Sequence, residues 1–124
     1  MLVSETAHGF ARRWIDAWNA HDLDRILDLY DDSVVMRSPL IIERMGEPSG
    51  ELSGKEQLRA YWSIGLAASP PLRFELLGVY VGVNSVTVHY RSVGRRQVAE
   101  VLTLNDEGQI ISGVSHHGGP DSAR

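Results

Sequence analysis

The apolar residues in the first half of the chain recur at helical spacing, and those in the second half alternate. Ala7, Phe10, Ala11, Trp14, Ala17 and Trp18 fall on one face, and Arg12, Arg13, Asp16 and Asn19 on the other. This predicts an amphipathic helix, opened by Ser4 as N-cap with Glu5 on the helix dipole and closed at Asn19-Ala20-His21. Trp14 and Trp18 sit at i and i+4, so both indoles can point the same way. Asp22 caps a second, short helix whose buried stripe is Leu23, Ile26, Leu27 and Tyr30, and which stops at Asp31-Asp32-Ser33. Val34, Val35 and Met36 predict a strand, and Pro39 ends it or puts it at a sheet edge. Residues 40–54 predict a short extended piece and then a loop, either a lid over a pocket or a plain surface excursion. Ser53 and Glu56 have capping-box spacing before a third helix, which carries Leu58, Tyr61, Trp62, Gly65 and Leu66 inward and cannot continue past Pro70-Pro71.

From Leu72 the period is two. Leu72, Phe74 and Leu76 alternate with Arg73 and Glu75; then the phase slips, and Val79, Val81 and Val83 carry the apolar face. A slip beside Gly78 predicts a β-bulge near Leu77-Gly78. Further strands follow on Val86, Val88 and Tyr90, on Val98, Glu100, Leu102 and Leu104, and on Ile110 to His117, with turns at Asn84-Ser85, around Gly94-Arg95 and at Asn105 to Gly108. Residues 118–124 have nothing to bury and read as a disordered tail. Helices first and hairpin-linked strands last predict one α+β domain. Its curved antiparallel (mixed) sheet, wrapped by three helices from the N-terminal half, closes into a cone around an apolar pocket.

Composition narrows the function. The 124 residues are 43% hydrophobic and 23% charged, as in an ordinary globular domain, and the net charge is −4. Arg91, Arg95 and Arg96 are the nearest approach to a basic face and read as solvated charge at a turn, so no nucleic-acid partner is expected. The absence of cysteine excludes disulfides, a thiol nucleophile and a thiolate metal site. No run approaches the ~20 apolar residues of a membrane span, and the first residues lack a signal-peptide pattern. A cytoplasmic protein without a membrane partner is expected. His116 and His117 point to opposite faces of a strand, and His8, His21 and His89 lack ligand spacing, so no metal and no cofactor are expected. There is no Ser-His-Asp order, phosphate loop or dinucleotide fingerprint.

Glu100 carries the most chemistry. It shares a strand face with Val98, Leu102 and Leu104, and carboxylates are rarely buried unpaired. Inside a pocket its pKa would rise, suiting an acid, a base or a neutral donor; at a rim it would pair with Arg37 or Arg91. A two-residue turn at Gly94-Arg95 puts His89 opposite Glu100, whereas a three-residue turn at Val93-Gly94-Arg95 puts Val88 there and turns His89 away. The alternation of Val86, Val88 and Tyr90 favours the second. A four-residue turn before the last strand sets Ile111 beside Leu102, Gly113 beside Glu100 and Ser115 beside Val98, with His117 next on the pocket face as a proton carrier or a frayed strand end. Gly113 then leaves room for a ligand or marks close packing at a bend. Trp14, Trp18, Tyr61 and Trp62 suit a flat apolar ligand, and equally a plain core.

The stretches WNAHDLD, YDDSVV and SP, with the later LSGKEQLRAYW and the four-strand finish, resemble the nuclear-transport-factor-2-like superfamily, in its SnoaL-like polyketide cyclase and ketosteroid isomerase branch. The resemblance implies a cone-shaped domain with an apolar pocket, and a homodimer joined through the outer sheet face. Apolar residues on both faces of the last strands, Ala99, Val101 and Val114 opposite Val98, Leu102 and Ile111, fit such a dimer. The base of the ketosteroid isomerases falls on Ser38, their helix-one tyrosine on Trp14, and their protonated aspartate near Glu100. The last-strand aspartate of the cyclases and of the limonene epoxide hydrolases has no counterpart between Ile110 and His117, and no motif match supports a carry-over from scytalone dehydratase. The expected function is a pocket for a small hydrophobic molecule, in a cofactor-free isomerase, cyclase or dehydratase working by acid–base chemistry on a carbonyl compound. Glu100, His117 and, in the two-residue register, His89 are its candidate catalytic residues. Trp14, Trp18, Tyr30, Met36, Ser38, Trp62, Gly113 and Ser115 are its candidate ligand contacts. The alternative is a non-catalytic ligand-binding or dimeric accessory domain.

Overall fold

A computed structural model describes residues 4–120, apart from the side chains of residues 4, 5 and 120. The expected capping by Ser4 and Glu5 therefore lies outside the described residues. Helix α1, Ser4–Asn19, buries Ala7, Phe10, Ala11, Trp14, Ala17 and Trp18, the face its periodicity predicts. Asp22 caps α2, Leu23–Leu27, by accepting a hydrogen bond from Arg25 N at 3.2 Å. Tyr30 is buried, but as the first residue of strand β1, Tyr30–Arg37, and not as part of α2.

The segment 40–54 holds regular structure where an extended piece and a loop are expected. It contains a helix α3, Pro39–Met45, and a strand β2, Glu51–Ser53. Pro39 ends β1 and also opens α3 as its first residue, where a missing N–H costs nothing. Ser38 caps this helix, accepting from Leu40 N at 3.2 Å, and Gly46 ends it at φ 65°. The helix of Leu58 is α4, Lys55–Ala67, so the described residues form four α-helices in place of three. The capping box of Ser53 and Glu56 does not form: Gly54 is the N-cap, and Ser53 N donates instead to Gln57 Oε1 at 2.8 Å.

The other strands are β3, Glu75–Val81; β4, Ser85–Arg91; β5, Arg96–Leu104; and β6, Ile110–Pro120. The six form one mixed sheet in the order β2-β1-β6-β5-β4-β3, in which only β1 and β6 run parallel. The expected bulge lies between Leu76 and Gly78. Beyond it the alternation misleads, since Val81 and Val83 are exposed, Val83 at 70%. β6 continues through Gly118 and Gly119 to Pro120, which pairs with Arg96, where a disordered tail is expected.

Aromatic packing and one amide hold α1 to the sheet. Trp14 stacks on Phe74 at 5.8 Å between ring centroids, Phe74 meets Tyr90 at 4.3 Å, and Trp18 meets Trp62 edge-on at 5.1 Å. The Asn19 side chain, read from sequence only as a helix end, binds both polar groups of the Phe74 backbone: Nδ2 donates to its carbonyl at 2.9 Å and Oδ1 accepts from its N–H at 2.7 Å. His21, in a left-handed conformation at φ 55°, places Nε2 2.6 Å from Leu72 O. Residues 72–74 are thus fixed to the C-terminal end of α1 before β3 begins.

Gly113 on β6 faces the core, not a ligand. A Cβ there would collide with the Met36 sulfur and approach Leu102 Cδ2 to 3.4 Å. Gly113→Ala should destabilise the domain by about 1–3 kcal/mol through overpacking. Urea unfolding is the check, and a second change, Met36→Ala, should cost less in the Gly113→Ala background than alone because the two sites share one space.

Candidate active site

The β4–β5 turn decides which groups enter the cone. It is the three-residue form, Val93-Gly94-Arg95, closed by Ser92 N donating to Arg96 O at 2.7 Å. Gly94 and Arg95 both take positive φ, 73° and 61°, a conformation glycine adopts freely. Val88 therefore stands opposite Glu100, and His89 opposite Ala99. His89 points away from Glu100 and meets Gln97 Oε1 at 2.7 Å, so the His89–Glu100 pair does not form.

On β6 the pairing is displaced by two residues from the expected register. Leu102 faces Gly113, Glu100 faces Ser115, and Val98 faces His117. Two one-residue changes make up the difference: Leu104 pairs with Ile110, so the loop before β6 runs from 105 to 109, and Thr103 pairs with Ser112, leaving Ile111 as an extra residue. The same face still points inward, so Ser115 and His117 reach the cavity.

That cavity has a volume of about 360 Å³, within the size range of small-molecule sites. Trp14, Trp18, Tyr30, Met36, Ser38 and Trp62 all line it; Gly113 does not. The wide aromatic wall leaves the space open rather than packing it shut.

Glu100 lies in the wall only 4% exposed. Its Oε1 accepts from Tyr90 Oη at 3.1 Å and from Ser115 Oγ. The two arginines considered for a rim pairing are engaged elsewhere, Arg37 with Glu51 at 2.8 Å and Arg91 with Glu75 at 2.6 Å. Burial raises the Glu100 pKa, opposed by the hydrogen bonds from Ser115 and Tyr90 and by the nearby His116. Burial next to Glu100 likewise raises the Tyr90 hydroxyl well above its ordinary value. Both hydroxyls act as donors to one carboxyl oxygen, which leaves Oε2 as the oxygen free for exchange with a ligand.

Trp14 Nε1 donates to Tyr30 Oη at 2.9 Å, so the indole N–H offered to a ligand is already committed and Trp14 serves as wall. Tyr30 is fully buried, and its pKa is raised by burial and by Glu100. Ser38 is 6% exposed and is both helix cap and pocket wall; it also interacts with Tyr61, whose own pKa is raised mainly by burial. His117 is half-buried, with no hydrogen-bond partner for Nδ1. Burial lowers its pKa, and Arg96 and Arg44 lower it further. Trp18 Nε1 is the other buried nitrogen without a partner among the described side chains. Among the described residues no group of three or more His, Asp or Glu side chains is placed to hold a metal ion, and no helix is long and apolar enough to cross a membrane.

The Glu100 shift has a thermodynamic consequence. The folded chain keeps this proton to a higher pH than the unfolded chain, where the group titrates near its ordinary 4.5. The associated stability is complete below that value and is lost as pH rises through the raised one. Glu100→Gln should flatten this loss, because Gln Oε1 can accept from Tyr90 and Ser115 without ever becoming charged. Thermal unfolding midpoints of the two proteins across pH 4–9 should converge at the acid end and separate in favour of the variant above it.

The SnoaL-like domain model matches residues 11–117. A SnoaL-like protein of unknown function from Burkholderia thailandensis is 44% identical, superimposes with a TM-score of 0.90, and is aligned over 94% of this chain and 98% of its own. A candidate isomerase of the SnoaL-like family from Agrobacterium tumefaciens (20% identity, TM-score 0.73, 91% and 97% coverage) shares the fold. So does a candidate ketosteroid isomerase from Kribbella flavida (13% identity, TM-score 0.73, 97% and 83% coverage). No significant match is found among the curated proteins. With the cone, the sheet order and the matched span in agreement, the chain belongs to the SnoaL-like family of the nuclear-transport-factor-2-like fold.

Proposed function

We propose that this protein binds a small apolar carbonyl compound and moves a proton on it with its own side chains, in an isomerase- or lyase-type reaction. One observation carries the reading: Glu100 is a buried carboxyl group that lines an aromatic cavity and has one oxygen held by two hydroxyl donors. Proton transfer needs an acid that is still protonated beside a base that is still neutral. Burial raises the pKa of Glu100 and lowers that of His117, so the two environments favour those states together.

In the proposed step a His117 ring nitrogen takes a proton from the carbon next to the carbonyl. Glu100 gives its Oε2 proton to the carbonyl oxygen, and a neutral enol results. With a β,γ-unsaturated ketone the resulting dienol takes the His117 proton at its γ-carbon while its O–H proton returns to Glu100, which completes an isomerisation. With a β-substituted ketone the enol O–H proton returns to Glu100 as the β-substituent leaves with the proton held by His117, which makes the reaction an elimination. Tyr90 and Ser115 stabilise the carboxylate left after the first transfer, since both already donate to Oε1.

A non-catalytic binding role is the second reading. It is favoured by Ser38, which replaces the resembled base and whose hydroxyl is occupied in capping α3.

Deuterium exchange separates the two readings without knowledge of the substrate. Small alicyclic and aromatic ketones incubated with the protein in D₂O should gain deuterium next to the carbonyl faster than in buffer, read by mass spectrometry. Glu100→Gln and His117→Gln should each slow this by about 10²-fold or more. Exchange at the buffer rate for ketones that bind, or exchange unchanged in Glu100→Gln, would sink the catalytic reading.

A further inference from the structure

At the cavity mouth the local charge opposes that of the chain as a whole. The net charge is −4, yet Arg44 from the last turn of α3 and Arg96 from the start of β5 both line the cavity and are both exposed, which puts them at its solvent side. Glu43 is the exposed acidic group that lines it with them. Among the described residues neither guanidinium is engaged in an ion pair; the four pairs present use Arg37, Lys55, Arg59 and Arg91. Both arginines act on His117 between them, and Arg44 also acts on Tyr61.

The position of Arg44 is set by a feature that α4 would otherwise do better without. Gly65 lies inside that helix, where glycine is less favourable than alanine by roughly 1 kcal/mol. A Cβ at Gly65 would stand 2.9 Å from Arg44 Nη1. The missing side chain is the space in which the guanidinium rests against the helix, at the cavity edge.

We propose that Arg44 and Arg96 form an oxyanion clamp at the cavity mouth, so that the preferred ligand is an apolar ring compound carrying one carboxylate or similar anionic group. This rests on the cavity being a ligand site, and it specifies the ligand class of that site. The apolar body would lie against Trp14, Trp18 and Trp62, with its reactive carbonyl toward Glu100 and its anion toward solvent between the two guanidinium groups. Arginine suits this role, since its planar fork meets a carboxylate with paired hydrogen bonds. Glu43 on the same rim would disfavour a second negative charge, and so a doubly charged phosphate.

A matched pair of dyes provides the test: anilinonaphthalene sulfonate, an aromatic anion, and N-phenylnaphthylamine, which has the same ring system without the charge. Both should bind the wild-type protein with enhanced fluorescence. The double variant Arg44→Met with Arg96→Met should bind the anionic dye at least about tenfold more weakly, with affinity for the neutral dye within about twofold. Gly65→Ala, which displaces the Arg44 guanidinium while favouring the helix, should lower the ratio of anionic to neutral affinity in the same direction. Retained neutral-dye binding shows that each variant is folded and the cavity intact. If the anionic dye weakens no more than the neutral one in the double variant, the clamp is refuted and the cavity reading survives. If neither dye binds the wild-type protein, the ligand-site reading fails, and the clamp with it.

Discussion

The pairing of β4 with β5 is the constraint on which the interior depends. Its turn fixes Val88 opposite Glu100, and strict alternation then sends Val86, Tyr90, Val98 and Leu102 inward with the carboxyl group. A slip of one residue in β4 would exchange Val86, Val88 and Tyr90 for Thr87 and His89 and bring His89 opposite Glu100. The positive φ values at Gly94 and Arg95 belong to the turn that holds this register. The site is thus set first by backbone geometry and only afterwards by the chemistry of its side chains.

Given that register, the polar groups of the cone arrange themselves in a short hierarchy. Glu100 has lost most of its water and retains two hydroxyl partners, from Tyr90 within the same hairpin and Ser115 on the next strand. Trp14 and Tyr30 satisfy one another deeper in the cone. Ser38 joins the end of β1 to α3 and turns toward Tyr61. Each pairing removes a polar group that would otherwise be buried alone. The groups left to act on a ligand include the second oxygen of Glu100, the His117 ring, the unpartnered Trp18 Nε1 and the exposed side chains of Glu43, Arg44 and Arg96.

Much of the fold was legible in the chain, and the failures have identifiable causes. The α1 face, the α2 cap, the bulge near Gly78 and the three-residue turn all follow from local pattern, and Glu100 is conspicuous as a carboxyl group within an apolar alternation. Helix α3 was hidden because Leu40, Ile41 and Ile42 favour extended structure, and because Pro39 was read only as a strand terminator when it can equally start a helix. The β6 register differs by two residues because the loop before it takes in Gln109, and because Ile110 and Ile111 are both apolar, so alternation cannot reveal that one of them is extra. Of the two readings of Gly113, room for a ligand and close packing, the structure shows the second, and local sequence cannot distinguish them because Met36, which fills the space, is distant in the chain. Of the clamp residues, Arg96 reads from sequence only as solvated charge at a turn, and nothing in the chain marks Arg44. The two line one cavity only through tertiary structure.

The central claim is that burial holds the Glu100 carboxyl group protonated above the ordinary carboxylate range while its hydroxyl partners keep it available to the cavity. A carbon-13 NMR titration of protein labelled at the glutamate side-chain carboxyl carbon, with Glu100→Gln to assign the resonance, measures this directly. The account predicts a Glu100 midpoint clearly above the ordinary 4.5. A midpoint at or below that value would show that the hydrogen bonds from Tyr90 and Ser115 outweigh burial, and would contradict the account.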